Sequence, residues 1–263
     1  MKRLILLPGL LLLAGTALLA QVSPPKKLGT VQLINMRAPS PIKIDGKLNE
    51  WNGNFQAYNK NTRIFYIISN DDKNLYLAVK STDFTTTAKI IAGGVTLALN
   101  KQDKKSEKDA YSFTFPVIEN PQRLSGGFGN RIEQRNAGAD SEMMKAVHER
   151  TINAAKVIKV LGVKGITDTL ISIYNEHGIK AAINFDNDGI TYELKVPLPL
   201  LDISVDDAKE MAYNIKLNGL QLNNPGGGPP GGGGGGGGGR NALDFQDLVS
   251  PCDFWAKYTL AKQ

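Results

Sequence analysis

The sequence predicts a mostly β protein: an antiparallel β-sandwich of immunoglobulin or jelly-roll type with one inserted α-helix. Three observations support this. Short runs rich in β-branched and aromatic residues recur along the chain, turns of Asn, Asp and Gly separate them, and only one stretch has clear helical periodicity. Many short strands at near-regular spacing with turn residues between them are typical of sandwiches.

The first element is a segment typical of a secretory signal peptide. Residues 1–20 begin with a basic pair after the initiator Met, continue as an apolar run and end in Ala20. The alternative is an uncleaved membrane anchor, but a Pro-Gly pair interrupts the run, which is short for a spanning helix of about 20 residues. Because no Cys follows the signal to carry an acyl anchor, we expect a secreted or periplasmic protein without a stable membrane span.

A Pro-rich segment at 21–40 leads into a single expected domain at 41–263. The chain of 263 residues is 41% hydrophobic, which suits one globular domain with a full core. Cys252 is the only cysteine, so no internal disulfide can form, and we interpret it as a small buried apolar residue. The formal net charge of +6 is dispersed along the chain, which argues against nucleic acid as a partner.

In chain order, the first strands form a hairpin. Residues 62–69 and 74–81 are β-branched and aromatic, and an Asn-Asp-Asp-Lys turn joins them. Leu75, Leu77 and Val79 alternate with their neighbours, which places one apolar face inward. Two more strands are expected at 93–100 and 111–118.

The inserted helix is expected at 140–161, within a loop-helix insertion at 123–161. Asp140 suits the N-cap and Gly162 the stop. The apolar residues on roughly one helical face are Met143, Val147, Ala154, Val157, Ile158 and Leu161. We expect this helix to pack across one end or face of the sandwich; the alternative is a helix that binds a membrane or a partner.

A second group of strands follows the helix, and a glycine-rich tract interrupts it. The expected strands lie at 168–174, 178–185, 189–197, 211–222 and 254–262. Residues 223–241 have almost no side chains to bury, so we expect a disordered loop there. A phosphate-binding loop is not supported, because no Lys-Ser or Lys-Thr follows the glycines.

Four sequence blocks within this strand pattern resemble a known family. The blocks IKIDGKLNEW, FYIISNDDKNLYLAVKSTD, GGVTLALN and ITYELKVPLPLL resemble successive blocks of the family 9 carbohydrate-binding module and its DOMON-like relatives. The resemblance spans residues 41–260, with the insertion and the glycine tract as additional pieces. It implies an exported, non-catalytic β-sandwich that recognises a saccharide or a cell-surface glycan.

In that family the IDGKLNEW segment is an edge strand that turns at Asp-Gly and tucks its Trp under the sandwich. The residues agree with this. Ile42 and Ile44 alternate, Asp45 and Gly46 permit a sharp turn, and Trp51 offers a large apolar surface. We interpret the Asp, the Gly and the Trp as structural residues, with sugar stacking as the alternative for Trp51.

The resemblance also implies a sugar held between aromatic rings, with amide and charged side chains bonding its hydroxyls. Trp255 lies in the closing strand and is interpreted as structural. The possible stacking faces are Tyr58, Tyr66, Tyr174, Tyr192 and Phe128, of which Phe128, Tyr58 and Tyr174 are the candidate ligand-binding residues. Phe128 stands between glycines in a loop-like stretch, which favours an exposed ring.

The sequence contains no recognisable catalytic constellation, so we expect no enzyme. The Asp pairs at 71–72, 186–188 and 206–207 lie in predicted turns, where Asp side chains bond the local backbone. The turn at 186–189 resembles the start of a calcium loop but lacks the distal Glu. Calcium is therefore the one metal left open.

Two other functions stay open beside saccharide binding. One is a structural or assembly protein of the cell envelope, with a degenerate sugar site and an envelope protein as partner. The other is haem binding, since some DOMON-like relatives bind haem through Met with His or Lys, and Met144 and His148 share a predicted helix face. Haem axial ligands approach from opposite sides, so a solvent-facing His148 is the preferred expectation.

Overall fold

Two antiparallel sheets form the protein, which confirms the predicted fold class. The structure, a computed structural model, describes residues 28–119, 139–220 and 246–263. The predicted signal peptide at 1–20 and the glycine-rich loop at 223–241 lie outside these residues. Within them, no helix is long and apolar enough to cross a membrane.

The first sheet has five strands and the second has six. The five-stranded sheet runs in the order β1 (Ala57–Asn59), β2 (Ile64–Asn70), β3 (Asn74–Ser81), β9 (Ile190–Pro197), β8 (Lys180–Phe185). The six-stranded sheet runs in the order β11 (Cys252–Tyr258), β10 (Met211–Leu217), β4 (Val95–Asn100), β5 (Tyr111–Phe115), β6 (Val157–Leu161), β7 (Leu170–Ser172). The α-helices are α1 (Phe84–Gly93) and α2 (Ala139–Ala154), and short 3-10 turns occur at Asn49–Trp51 and Leu198–Leu201.

The main core lies between the two sheets. Leu75, Leu77 and Val79 of β3 are at most 1% exposed, so the predicted inward face of this strand is confirmed. The facing sheet contributes buried residues such as Phe113 and Tyr213. Burial of this many large apolar side chains is the main stabilising contribution to a sandwich.

A second, smaller core covers the outer face of the five-stranded sheet. Its buried members are Trp51, Ile67, Tyr76 and Ala78, and partly buried residues between Met36 and Phe55 pack against them. We call residues 36–55 the outer layer. Because of this layer, both faces of β3 are buried, which explains why its residues are apolar almost without interruption.

The outer layer corrects one expectation about the opening segment. Trp51 is 3% exposed, so its predicted burial is confirmed. The predicted edge strand is wrong, because residues 42–44 pair with no strand. Instead, Ile42 and Ile44 pack with Trp51 over the face of the sheet, so the indole is outside the space between the two sheets.

The inserted helix is shorter than predicted. It ends at Ala154, and the expectation of helix up to residue 161 is wrong, because Val157–Leu161 forms β6 and pairs with β5. Ile158 and Val160 of this strand are buried in the main core. The apolar positions of this stretch fit a strand period as well as a helical one, and the vacant edge of β5 favours the strand.

Sequence reasoning missed α1 and the short strand β1. Asp83 is the N-cap of α1, and its side chain accepts a hydrogen bond from the Thr86 N–H at 2.8 Å. Three consecutive threonines follow in the first turn, and threonine has a low helix propensity. The helix is held by tertiary packing instead, since Ile90 and Ile91 are buried in the main core.

Candidate functional site

A cleft of about 450 Å³ lies on the outer face of the five-stranded sheet, beside the turn at Asp45 and Gly46. We call this turn the Asp-Gly turn. Lys80 of β3, Thr191 of β9 and Asn184 of β8 are neighbours in the strand register, so they form one row across the cleft floor. Gly46, Asn49 and Phe55 of the outer layer also line the cleft.

An aromatic group continues the floor row beyond the cleft. Phe65 pairs with Lys80 in the register, and Tyr58 pairs with Phe65. The ring of Phe65 lies 5.6 Å from that of Phe55 and 4.6 Å from that of Tyr58, measured between centroids. All three rings are partly buried, so each keeps some surface open to solvent beside the polar floor.

The charged group in the cleft is an ion-paired lysine. Lys80 Nζ donates to Asp186 Oδ2 at 2.7 Å and to Asp188 Oδ2 at 3.3 Å. Burial acts to lower the pKa of Lys80, but the bonds and charges of both carboxylates raise it above its ordinary value. The lysine is therefore a fixed cation whose charge is already compensated within the protein.

The same two aspartates were considered for calcium. Asp186 Oδ1 accepts the N–H groups of Asp188 and Gly189, at 2.9 Å each, while its other oxygen accepts from Lys80. Both oxygens of Asp186 thus have partners in the turn that joins β8 to β9. Among the described residues, no group of three or more His, Cys, Asp or Glu side chains is arranged to hold a metal ion.

A buried carboxylate holds the Asp-Gly turn against the sheet. Glu193 of β9 is 1% exposed, and its Oε2 accepts the N–H of Asp45 at 3.1 Å and the N–H of Gly46 at 2.9 Å. Its Oε1 accepts the indole N–H of Trp51 at 3.0 Å. In return, Thr191 Oγ1 donates to the Gly46 carbonyl at 2.6 Å. One cleft wall is therefore fixed by side chains of the strand that also supplies the floor.

Burial raises the pKa of Glu193 to about 7, although the bonds from Trp51, Gly46 and Asp45 oppose that rise. The nearby charge of Glu50 acts in the same direction as burial. Glu193 therefore changes charge near neutral pH. This residue was missed from the sequence, although a Glu inside an otherwise apolar strand is itself an unusual signal.

Position 46 requires a glycine, because the Asp-Gly turn lies very close to the backbone of β8. Its φ is +79°, and a Cβ placed there would lie 2.6 Å from the carbonyl carbon of Ile183. The neighbouring Asp45 closes the turn by accepting the Lys47 N–H at 2.9 Å. The predicted sharp Asp-Gly turn is confirmed, and its position against the sheet explains why a side chain cannot replace the glycine.

The structure does not bring Tyr58 and Tyr174 together, and it buries Tyr66 and Tyr192 completely in the main core, so neither of these two can be a stacking face. Tyr58 lies in the aromatic group next to the cleft. Tyr174 is 77% exposed and follows β7, which is an edge strand of the other sheet. Phe128 lies outside the described residues. Trp255, predicted as structural, is partly buried on the outer face of the six-stranded sheet.

The expectation that His148 faces solvent is wrong. Its ring is partly buried and stacks on Phe185 of β8, with 3.9 Å between centroids and 3° between planes. Burial lowers the pKa of His148, so the imidazole is neutral at pH 7. The physical reason is that α2 packs against the edge strand β8. Met144, the other residue considered for haem, is 49% exposed.

Two remaining predictions concern Asp71, expected in a turn, and Cys252, expected to be a small buried apolar residue. Asp71 accepts the N–H groups of Lys73 and Asn74 and the hydroxyl of Tyr76, so it stabilises the turn between β2 and β3. Cys252 is partly buried and packs against the main core, and burial raises the pKa of its thiol. Both residues thus have structural contacts of the kind that the sequence indicated.

Comparison of the chain with protein-family models, with curated proteins and with solved structures found no match.

Proposed function

We propose that this chain is an exported, non-catalytic module that binds a saccharide in the cleft beside the Asp-Gly turn. The observation that carries the proposal is the row of side chains on the outer face of the five-stranded sheet. It brings an amide and an ion pair next to partly exposed aromatic rings. The resemblance of the sequence to family 9 carbohydrate-binding modules supports the same class of ligand.

The chemistry of the row suits a sugar. Aromatic faces such as that of Phe55 pack against the C–H groups of a pyranose ring, while polar groups fix its orientation. Asn184 offers the N–H donors of its amide, while its Oδ1 already accepts the Phe185 N–H at 2.8 Å. The ion pair between Lys80 and Asp186 presents a donor next to an acceptor, which matches two neighbouring hydroxyl groups.

The ion pair also favours a neutral saccharide over a strongly anionic one. Lys80 has its charge compensated by Asp186 and Asp188. An anionic sugar would have to compete with these two carboxylates for the ammonium group. A neutral glycan meets no such competition.

Affinity electrophoresis over a panel of plant and bacterial polysaccharides tests the proposal. We expect at least one neutral polysaccharide to retard the protein, and Phe55→Ala and Asn184→Ala each to weaken binding by about tenfold, which corresponds to about 1.4 kcal/mol. Tyr174→Ala, at an exposed position that does not line the cleft, is the matched control and should bind like the parent chain. Equal binding by the cleft variants and the control would place the ligand elsewhere.

The export part of the proposal rests on residues 1–20 and has its own test. N-terminal sequencing of protein recovered outside the cytoplasm should begin at Gln21. Recovery of the chain in the cytoplasm with Met1 in place would contradict it.

A further inference from the structure

The residues on the cleft floor belong to a longer row that crosses the whole five-stranded sheet. Strand register joins its members in the order Asn184, Thr191, Lys80, Phe65, Tyr58, and we call them the extended row. Each of the five strands supplies one residue, so the row crosses four strand spacings, about 19 Å in all. One sugar ring covers only part of this length.

The extended row stays open to solvent, although the next row on the same face is covered. Ile67, Ala78 and Glu193, two positions away along β2, β3 and β9, are at most 1% exposed beneath the outer layer. In the extended row only Thr191 is buried, where it bonds the Gly46 carbonyl. The other four residues are partly exposed. The extended row therefore lies along the rim of the outer layer, where a ligand can reach it.

The two ends of the extended row differ in what lies beyond them. At the Asn184 end, α2 packs against β8, and His148 stacks on Phe185, which also lines the cleft. At the other end, the Tyr58 N–H donates to the Gly29 carbonyl at 2.9 Å, and this exposed glycine has no side chain to cover the Tyr58 ring. A ligand longer than the cleft therefore has room toward Tyr58 and meets a helix beyond β8.

The chemistry of the extended row changes along its length. Lys80 has three N–H donors, of which two go to Asp186 and Asp188, so one is left for a ligand. The rings of Phe65 and Tyr58 lie 4.6 Å apart, and among the described residues none forms a hydrogen bond with the Tyr58 hydroxyl. An aromatic face packs against apolar C–H groups, and a Tyr hydroxyl adds a polar contact. A polar position for one sugar unit is thus followed by an aromatic position for the next.

We infer that the site takes a linear oligosaccharide of two or more sugar units, with one unit in the cleft at Lys80 and Asn184 and the following units along the row toward Tyr58. This inference rests on the saccharide binding proposed above, and it adds the length and the direction of the ligand. Phe55 lies between the two positions, since it lines the cleft and its ring is 5.6 Å from that of Phe65. Tyr58 is then the residue that distinguishes a chain of sugars from a single sugar.

Isothermal titration calorimetry with oligosaccharides of increasing length tests the inference. The probes are prepared by partial hydrolysis of a neutral polysaccharide that retards the protein in electrophoresis, down to the monosaccharide. We expect the affinity of the parent chain to rise by at least about tenfold from the shortest probe to those that span the extended row, and then to level off. Asn184→Ala should weaken the binding of all lengths by a similar factor.

Variants of Tyr58 show which part of the gain with length comes from the extended row. Tyr58→Ala should bind the shortest probe like the parent chain and lose most of the gain. Tyr58→Phe keeps the ring that packs on Phe65 and should keep most of the gain. Tyr174→Ala is the control and should follow the parent chain at every length. Longer probes also offer more equivalent binding positions, but that statistical increase is the same for all these variants.

An amide NMR titration of the parent chain needs no variant and reports the direction of the ligand. The shortest probe should shift the amide signals of Gly46 and Asn184, and longer probes should add that of Tyr58. Equal affinity at all lengths, a full gain in a folded Tyr58→Ala variant, or longer probes that shift amides of α2 instead of Tyr58 would overturn the inference and leave saccharide binding in the cleft intact. A panel in which no polysaccharide retards the protein would contradict saccharide binding itself, and this inference with it.

Discussion

The indole of Trp51 donates a hydrogen bond to the buried carboxylate of Glu193 at 3.0 Å, across 142 residues of sequence. The same carboxylate accepts both N–H groups of the Asp-Gly turn. One side chain of β9 therefore holds the outer layer to the sheet and fixes one wall of the cleft. The stability of the outer layer and the shape of the cleft depend on the same group.

Replacing Glu193 by Gln should change how stability depends on pH. The folded-state pKa of Glu193 is about 7 against an ordinary value of 4.5. A raised acid pKa contributes stability that is fully present below pH 4.5 and is lost as pH rises through 7. The amide does not titrate, so between pH 5 and pH 8 the parent chain should lose up to about 3 kcal/mol of unfolding free energy relative to Glu193→Gln.

Urea denaturation of both proteins at several pH values measures this difference. Asp45 and Asp186, whose pKa values are lowered, affect both proteins equally and cancel. Glu176→Gln, at an exposed position, is the control for the effect of a Glu-to-Gln substitution itself. A stability difference between Glu193→Gln and the parent that does not vary with pH would contradict the assignment of a titrating buried carboxylate.

Substitutions at Trp51 should separate its hydrogen bond from its packing. Trp51→Phe keeps an aromatic ring but leaves Glu193 Oε1 without its donor, which should cost about 1–3 kcal/mol of unfolding free energy. Trp51→Ala also opens a cavity in the outer layer and should cost about 3–5 kcal/mol. The exposed Tyr174→Ala should change stability by less than about 0.5 kcal/mol. Equal effects of the Phe and Ala variants would show that packing at this site contributes little.

Two glycines of the outer layer offer a matched comparison. Gly46 and Gly53 both have positive φ, +79° and +67°, but only at Gly46 would a Cβ meet backbone atoms. Gly53→Ala should therefore cost only the conformational strain, about 1 kcal/mol. Gly46→Ala adds a clash with Ile183 and should destabilise the protein more and weaken ligand binding in the cleft. Thermal melts and affinity electrophoresis measure the two effects, and equal losses at both positions would contradict the close approach of the turn to β8.

Removing Lys89 and removing Asp247 from their ion pair should cost different amounts of unfolding free energy. Lys89 Nζ lies 2.6 Å from Asp247 Oδ1, and the Lys side chain is 2% exposed against 38% for the Asp. Asp247→Ala leaves a buried ammonium unpaired and should cost about 3 kcal/mol. Lys89→Met removes the buried charge and leaves Asp247 paired with Arg63, so its cost should be about 1 kcal/mol or less. Chemical denaturation that ranks the two variants in the opposite order would contradict this assignment.

Local signals predicted the parts of the fold that depend on local interactions. The hairpin of β2 and β3 is confirmed because alternating apolar residues and the Asp71 turn specify it within a short stretch of sequence. Burial of Trp51 is confirmed for a similar reason, since the sharp Asp-Gly turn and the large apolar surface of the indole are both local features of the sequence. The end of α2 was wrong because residues 157–161 suit both periods, and only the edge of β5 decides between them.

The arrangement of the site could not be predicted in the same way. The floor row joins Lys80 to Thr191 and Asn184 through strand register, which spans more than a hundred residues of sequence. Glu193 finds its partners in a segment near the start of the domain. Periodicity distinguishes the two faces of a strand, but it does not show that a second layer will cover the outer one.

The most direct test of saccharide binding in the cleft is an amide NMR titration with a polysaccharide that retards the protein in electrophoresis. If the cleft binds the saccharide, the NMR signals of the backbone amides of Gly46, Asn49 and Asn184 and of the Trp51 indole N–H should shift on binding. The backbone amide signal of Tyr174 should not shift. Saturation by the ligand with shifts only outside the cleft would contradict this expectation.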